Sequence, residues 1–137
     1  MTAYYLDTSV AVRILFGHSP SAAAWFDHVT GDRDTLILSS RLLRTELTRV
    51  LRREGLPVQR RAEILDHLDT VGVDHAVLQE AEAIVPHIRT LDAIHLASAL
   101  RSGSSELTIV THDRVMKSVA EQVGFPVFDP VDESADG

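Results

Sequence analysis

Four acidic residues stand where this chain could do chemistry: Asp7, Glu46, Asp92 and Asp113. Asp7 follows the apolar run Tyr4-Tyr5-Leu6 and precedes Thr8-Ser9 and the mostly apolar stretch from Val10 to Phe16. Asp113 follows Leu107-Thr108-Ile109-Val110-Thr111 and His112, again before a helical pattern. A strand buried inside a sheet delivers whatever follows it to the carboxyl edge, where open α/β sheets bind their ligands. If the two strands are neighbours, Asp7 and Asp113 share that edge. If Glu46 and Asp92 reach it too, four carboxylates converge, and at an effective dielectric near 20 each pair about 4 Å apart repels by roughly 4 kcal/mol. Such a cluster calls for a cation. Oxygen-only ligation is the preference of Mg²⁺ or Mn²⁺. A cation of that kind activates water and neutralises phosphate, which is the chemistry of phosphodiester hydrolysis.

Each acid also has a plainer explanation. Asp7 could simply cap the helix that follows it. Glu46 could pair with an arginine. Asp92 sits in a first helical turn, where the helix dipole favours an anion, and Thr90 can take the cap itself. His95, one turn further on, reads as a satisfied core histidine rather than a metal ligand.

The elements that must position these residues alternate between strand and helix, without internal repeat or interdomain linker. After the first strand and helix, Gly17-His18-Ser19-Pro20 breaks the chain, and a helix restarts at Ser21, with that serine as its cap, carrying Trp25 and Phe26 into the core. Thr35 to Ser39 is the second strand, and Ser39 and Ser40 cap a helix that stops at Gly55. On that helix Leu43, Leu47, Val50 and Leu51 form the buried stripe, with Glu46 on the same face and the arginines pointing elsewhere. Pro57 opens a further helix to about Thr70, Val71 to Val73 form a short strand, and Val77 to Val85 a helix ended by Pro86. The stretch from Arg89 to Leu100 is small and apolar on nearly every face, as in a helix buried against a sheet or a partner. The strand Leu107 to Thr111, a helix from Arg114 to Val123 and a last short strand at Gly124 to Phe128 complete one α/β unit.

Composition narrows the classes further. One domain is expected from 137 residues. No cysteine is present, which excludes disulfide frameworks, thiolate metal sites and cysteine nucleophiles. No apolar run approaches the roughly 20 residues that span a bilayer, so a cytoplasmic protein without a membrane partner is expected. The net charge of -7 is local: Asp129, Asp132, Glu133 and Asp136 crowd the last nine residues, read as an acidic, disordered tail over 129–137 beyond a domain of 1–128. With those four and the four candidate site acids set aside, the remainder is close to neutral. Of 13 basic residues 12 are arginine, and seven lie between Arg41 and Arg61, a candidate phosphate-binding face or else an ordinary solvated one.

Tyr5-Leu6-Asp7-Thr8-Ser9, Arg44-Thr45-Glu46-Leu47, Leu91-Asp92-Ala93-Ile94-His95-Leu96-Ala97 and Val110-Thr111-His112-Asp113, in this order, resemble the motifs of PIN-domain ribonucleases of the VapC toxin type. The resemblance spans Tyr4 to Phe128 and departs at no acidic position. It implies a central parallel sheet of strand order 3-2-1-4-5 flanked by helices, metal-dependent cleavage of RNA, a homodimer, and inhibition by a cognate antitoxin that inserts a basic residue into the acidic pocket. Carried over, Asp7, Asp92 and Asp113 would hold Mg²⁺ or Mn²⁺ directly or through water, Glu46 would complete the pocket or hold a second ion, and Thr111 and Ser9 would orient a water.

Three other readings compete. An aspartyl phosphatase wants a second Asp where this chain has Ser9. A response-regulator receiver wants a lysine at a strand end, whereas Lys117 lies inside a helix. A non-catalytic PIN-like module that binds metal or a partner could carry the same sequence.

Overall fold

In the computed structural model, which describes residues 1–104 and 106–131, five strands form one sheet: β1 (Thr2–Leu6), β2 (Thr35–Ser40), β3 (Asp69–Val71), β4 (Leu107–Val110) and β5 (Val127–Phe128). Their order is β3-β2-β1-β4-β5 and every pairing is parallel, as the resemblance implied. The helices are α1 (Thr8–Leu15), α2 (Pro20–Thr30), α3 (Arg41–Arg53), a 3₁₀ turn (Val58–Arg61) running into α4 (Ala62–Leu65), α5 (His75–Glu82), α6 (Thr90–Arg101) and α7 (Arg114–Gln122). No helix among the described residues is long and apolar enough to cross a membrane.

The period of two in β1 decides the layers. Leu6, with Tyr4 beside it, faces the core formed with Val10, Leu15, Phe26, Leu43, Leu47 and Leu51 from α1, α2 and α3. Ala3 and Tyr5 face the opposite core with Leu96, Ile109, Met116 and Val119 from α6, β4 and α7. Central parallel strands buried on both sides read as continuous apolar runs for this reason. Leu43, Leu47 and Leu51 are fully buried as the helical spacing required, and α3 ends where Gly55 takes φ +67° and Leu56 N–H bonds back to Leu51 O.

Several local expectations need correction. The helix expected from Pro57 to Thr70 breaks after Leu65, because Asp69 must begin β3 opposite Leu38. β3 is an edge strand, so main-chain pairing with β2 defines it and its residues need not be apolar; the strand lies at 69–71 rather than 71–73. The cap of α2 is Ser19, whose Oγ accepts from Ala22 N–H, with Pro20 in the first turn, and not Ser21. Arg89 rather than Thr90 holds the N-cap position of α6, without a side-chain capping bond.

The packed body also reaches beyond Phe128. Ser21 Oγ donates to Pro130 O, Asp129 binds Lys117 and His112, and Val131 joins the core beneath α1 and α2. Residues 132–137 of the expected acidic tail lie outside the described residues.

Candidate functional site

The two central strands end side by side. Leu6 of β1 is opposite Val110 of β4, so Asp7 and the turn Thr111-His112-Asp113 leave the same edge of the sheet. β2 ends at the same edge in Ser40, which caps α3 by accepting from Leu42 N–H, and α3 carries Glu46 in its second turn. Asp92 comes from the first turn of α6.

Asp7 is 3% exposed and occupies the N-cap position of α1, yet its carboxylate makes no capping bond. Its Oδ2 instead accepts from Ser9 Oγ at 2.7 Å and from Thr111 Oγ1 at 2.8 Å. Each hydroxyl has one proton, so both are committed to Asp7, and the 3.2 Å between Ser9 Oγ and Thr111 Oγ1 is an approach through a shared acceptor. The same two oxygens accept the N–H groups of His112 and Asp113, fastening the start of α1 to the turn after β4. Asp113 does act as a cap in addition, its Oδ1 accepting from Val115 N–H at 2.9 Å.

Glu46 points inward, as its place on the buried face required. Its Oε1 accepts from Thr8 Oγ1 at 2.7 Å and from His95 Nε2 at 2.6 Å, and His95 Nδ1 lies 2.8 Å from Tyr5 Oη. Burial alone would favour a neutral imidazole, but the bond to Glu46 and the charges of Asp7, Glu46 and Asp92 hold the His95 pKa above its ordinary value. Burial likewise pushes Glu46 up, and the His95 and Thr8 bonds with the more distant Arg89 charge bring it below the usual carboxylate range. Both shifts point to a charged pair. Tyr5, its phenol pushed far up by burial, stays protonated beside it. His95 is thus a satisfied core histidine, and it also orients Glu46.

Asp92 and Asp113 share one partner that sequence reasoning missed. Arg89 Nε is 3.0 Å from Asp92 Oδ2 and Arg89 Nη2 is 3.1 Å from Asp113 Oδ2. The arginine side chain is 78% exposed, while those carboxylates are 13% and 22% exposed. Burial, then the charge of Asp7 and to a lesser extent that of Asp113, raise the Asp92 pKa against the pull of Arg89. The spacing of Arg89 and Asp92, three residues apart, was the available signal for one of these pairs. Nothing local could have announced the other, which joins α6 to the turn after β4.

Among the described residues, no three His, Asp or Glu side chains are gathered as a metal site would gather them. The carboxylates are turned toward Ser9, Thr111, Arg89 and His95. Their chemistry nonetheless fits a hard divalent cation: the donors are anionic oxygens, and among the described residues the four carboxylates pair with two basic side chains, Arg89 and His95. The arginine run divides. Arg60 and Arg61 bond to Leu15 O and Thr48 Oγ1 within the fold, whereas Arg41, Arg44, Arg49, Arg52 and Arg53 are exposed along α3.

A profile of the PIN domain matches residues 4–122. Ribonuclease VapC46 of Mycobacterium tuberculosis is 35% identical over 132 residues, covering 95% of this chain and 99% of the relative. Ribonuclease VapC35 of the same organism is 38% identical over 136 residues, covering 92% and 96%. A crystal structure of VapBC2 from Rickettsia felis bound to a DNA fragment from their promoter has a chain similar in fold, with TM-score 0.70 at 16% identity, covering 93% of this chain and 98% of that one.

Proposed function

The chain belongs to the PIN-domain family, in its VapC branch, and on that premise we propose that it is a metal-dependent endoribonuclease, the toxin of a type II toxin-antitoxin pair acting on RNA in the cytoplasm. The observation that supports the reading is that the strands leading to Asp7 and Asp113 end side by side at one edge of a parallel sheet, with Asp92 near enough for both charges to raise its pKa. Asp7, Asp92 and Asp113 would hold Mg²⁺ or Mn²⁺ directly or through water, and Glu46 would complete the pocket. Such an ion would supply the positive charge that lowers the pKa of a water and offsets charge at a phosphate.

The remaining work belongs to the chain. Ser9 and Thr111 act through Asp7: by fixing Oδ2 they hold the carboxylate plane before any ligand arrives. His95, braced by Tyr5, does the same for Glu46. The exposed arginines of α3, the helix that carries Glu46, would offer the phosphates of an RNA strand a basic face.

The partner reading follows from the same pocket. An antitoxin is proposed to place a basic side chain among these carboxylates, in the manner that Arg89 already displays between Asp92 and Asp113. A homodimer is proposed as well; the exposed apolar residues Leu78 and Val85, on a groove beside α5 and α6, support a protein contact there.

Incubation of the purified protein with total RNA in Mg²⁺, Mn²⁺ or EDTA, followed by mapping of the ends, tests the proposal. Discrete new ends in either metal and none in EDTA are expected. The same ends in EDTA would contradict metal dependence, and intact RNA under every condition would favour a non-catalytic binding module.

A further inference from the structure

Arg89 is placed unlike the other arginines of the chain. It stands at the rim of the pocket, at the N-cap position of α6, yet its side chain caps nothing. Its guanidinium lies across the mouth, with one nitrogen on Asp92 and another on Asp113, two carboxylates from different elements. Those carboxylates are largely buried and the arginine is largely exposed. The arrangement therefore holds an exposed monovalent cation over donors that suit a divalent one.

Two consequences follow from the chemistry of the group. A metal ion that takes these Oδ2 atoms competes with Arg89 for them, because a carboxylate oxygen already bonded to a guanidinium has less room and less charge for another cation. Once displaced, the guanidinium stays tethered at the rim, within its own side-chain length of any phosphate that approaches an ion held there. Its planar fork of donors matches two phosphate oxygens as it matches carboxylate oxygens.

We propose that Arg89 is a phosphate-holding residue of this site and that, without metal, it is parked on Asp92 and Asp113, where it competes with the cation. The inference rests on the four-acid pocket proposed above and adds a residue to it. It assigns one side chain two positions, each defined by what the acids are bound to. Arg89 thereby ties release of the phosphate-gripping group from its carboxylates to prior loading of the pocket.

The test measures two affinities on the same proteins: Mn²⁺ by the loss of its free electron-paramagnetic-resonance signal, and labelled total RNA by filter retention with Ca²⁺ in place of Mn²⁺. The variants are Arg89→Gln and Arg89→Lys, with an Asp92→Asn, Asp113→Asn double variant as control. Arg89→Gln should bind Mn²⁺ several-fold more tightly than the parent and RNA about tenfold more weakly, the loss typical of a removed charge-assisted pair. Arg89→Lys, which keeps the charge and loses the fork, should fall between. Opposite movements of the two affinities distinguish this role from a structural one, since a damaged fold would weaken both. Unchanged or weaker Mn²⁺ binding in Arg89→Gln overturns the parking, and undiminished RNA binding overturns the phosphate role. If the double variant binds Mn²⁺ as well as the parent, the pocket itself is misassigned and the inference falls with it; if only the Arg89 variants behave like the parent, the pocket stands and the inference alone fails.

Discussion

His95 Nε2 lies 2.6 Å from Glu46 Oε1, and the pair is buried on the histidine side, with His95 only 1% exposed. Tyr5 closes the other end of the imidazole, while Asp7 and Asp92 add negative potential around it. The relationship makes stability depend on pH from both sides. His95 has a folded pKa above its unfolded value near 6.5, so its contribution is fully present below that value and is lost as pH rises through the folded one. Glu46 is depressed below 4.5, so its contribution is present above that value and is lost as pH falls through the folded one. Melting temperatures in EDTA should therefore be highest between these limits, at weakly acid pH, and decline as pH rises above 6.5 toward and through the folded pKa of His95. In His95→Gln the alkaline decline should shrink; an alkaline decline of parental size in that variant would contradict the charged pair.

Thr111 and Ser9 invite a comparison of two small deletions. Thr111→Val keeps the shape of a side chain with no exposure, but removes the donor to Asp7 and the acceptor for Asp113 N–H. A buried hydrogen bond to a charged group contributes about 1.5–3 kcal/mol, and a loss of that order is expected in urea unfolding of Thr111→Val. Ser9→Ala leaves Thr111 still bonded to Asp7 and should cost less. Equal, negligible losses in both would mean that Asp7 does not depend on these hydroxyls.

Asp92→Asn separates a cation ligand from a helix-terminal anion. Asp92 does not hold the N-cap position of α6, and burial with the Asp7 charge opposes its ionisation. The amide should fold normally and melt in EDTA at or above the parental temperature. Cleavage of total RNA in Mn²⁺ should drop by at least about tenfold to a hundredfold, the range for disturbing a metal's ligand environment. Parental cleavage would remove Asp92 from the site.

Much of this was legible in the chain. The strand that ends in Asp7 and the strand that leads to Asp113 announce themselves as apolar runs, and their adjacency brings the two acids to one edge. Glu46 was placed by the spacing of Leu43, Leu47 and Leu51. Less visible were features set by tertiary pairing: β3, held by backbone pairing at an edge, and the short α4, cut off so that β3 could form. Least visible were the partners of the acids. Tyr5, Thr8, His95 and Arg89 lie close in sequence to Asp7 or Asp92, but two of their bonds go to Glu46 and one to Asp113, contacts that no local pattern encodes.

An antitoxin that closes the site with a basic side chain must compete with the metal for the same carboxylates. Inhibition of RNA cleavage by a cognate inhibitor should weaken as Mn²⁺ rises. Inhibition that is constant across metal concentration, together with unchanged inhibitor binding to an Asp92→Asn, Asp113→Asn variant, would rule out that mode.

The central claim is that these acids hold the ion that makes the protein a nuclease, and a cation that binds only the folded state must raise its melting temperature. The most direct measurement titrates Mg²⁺ or Mn²⁺ against the parent and an Asp7→Asn, Asp113→Asn variant, recording melting temperature and RNA cleavage on the same samples. The account predicts that the parent gains thermal stability and cleavage together over one concentration range, and that the variant gains neither. Equal stabilisation of parent and variant, or cleavage that survives in the variant, would contradict it.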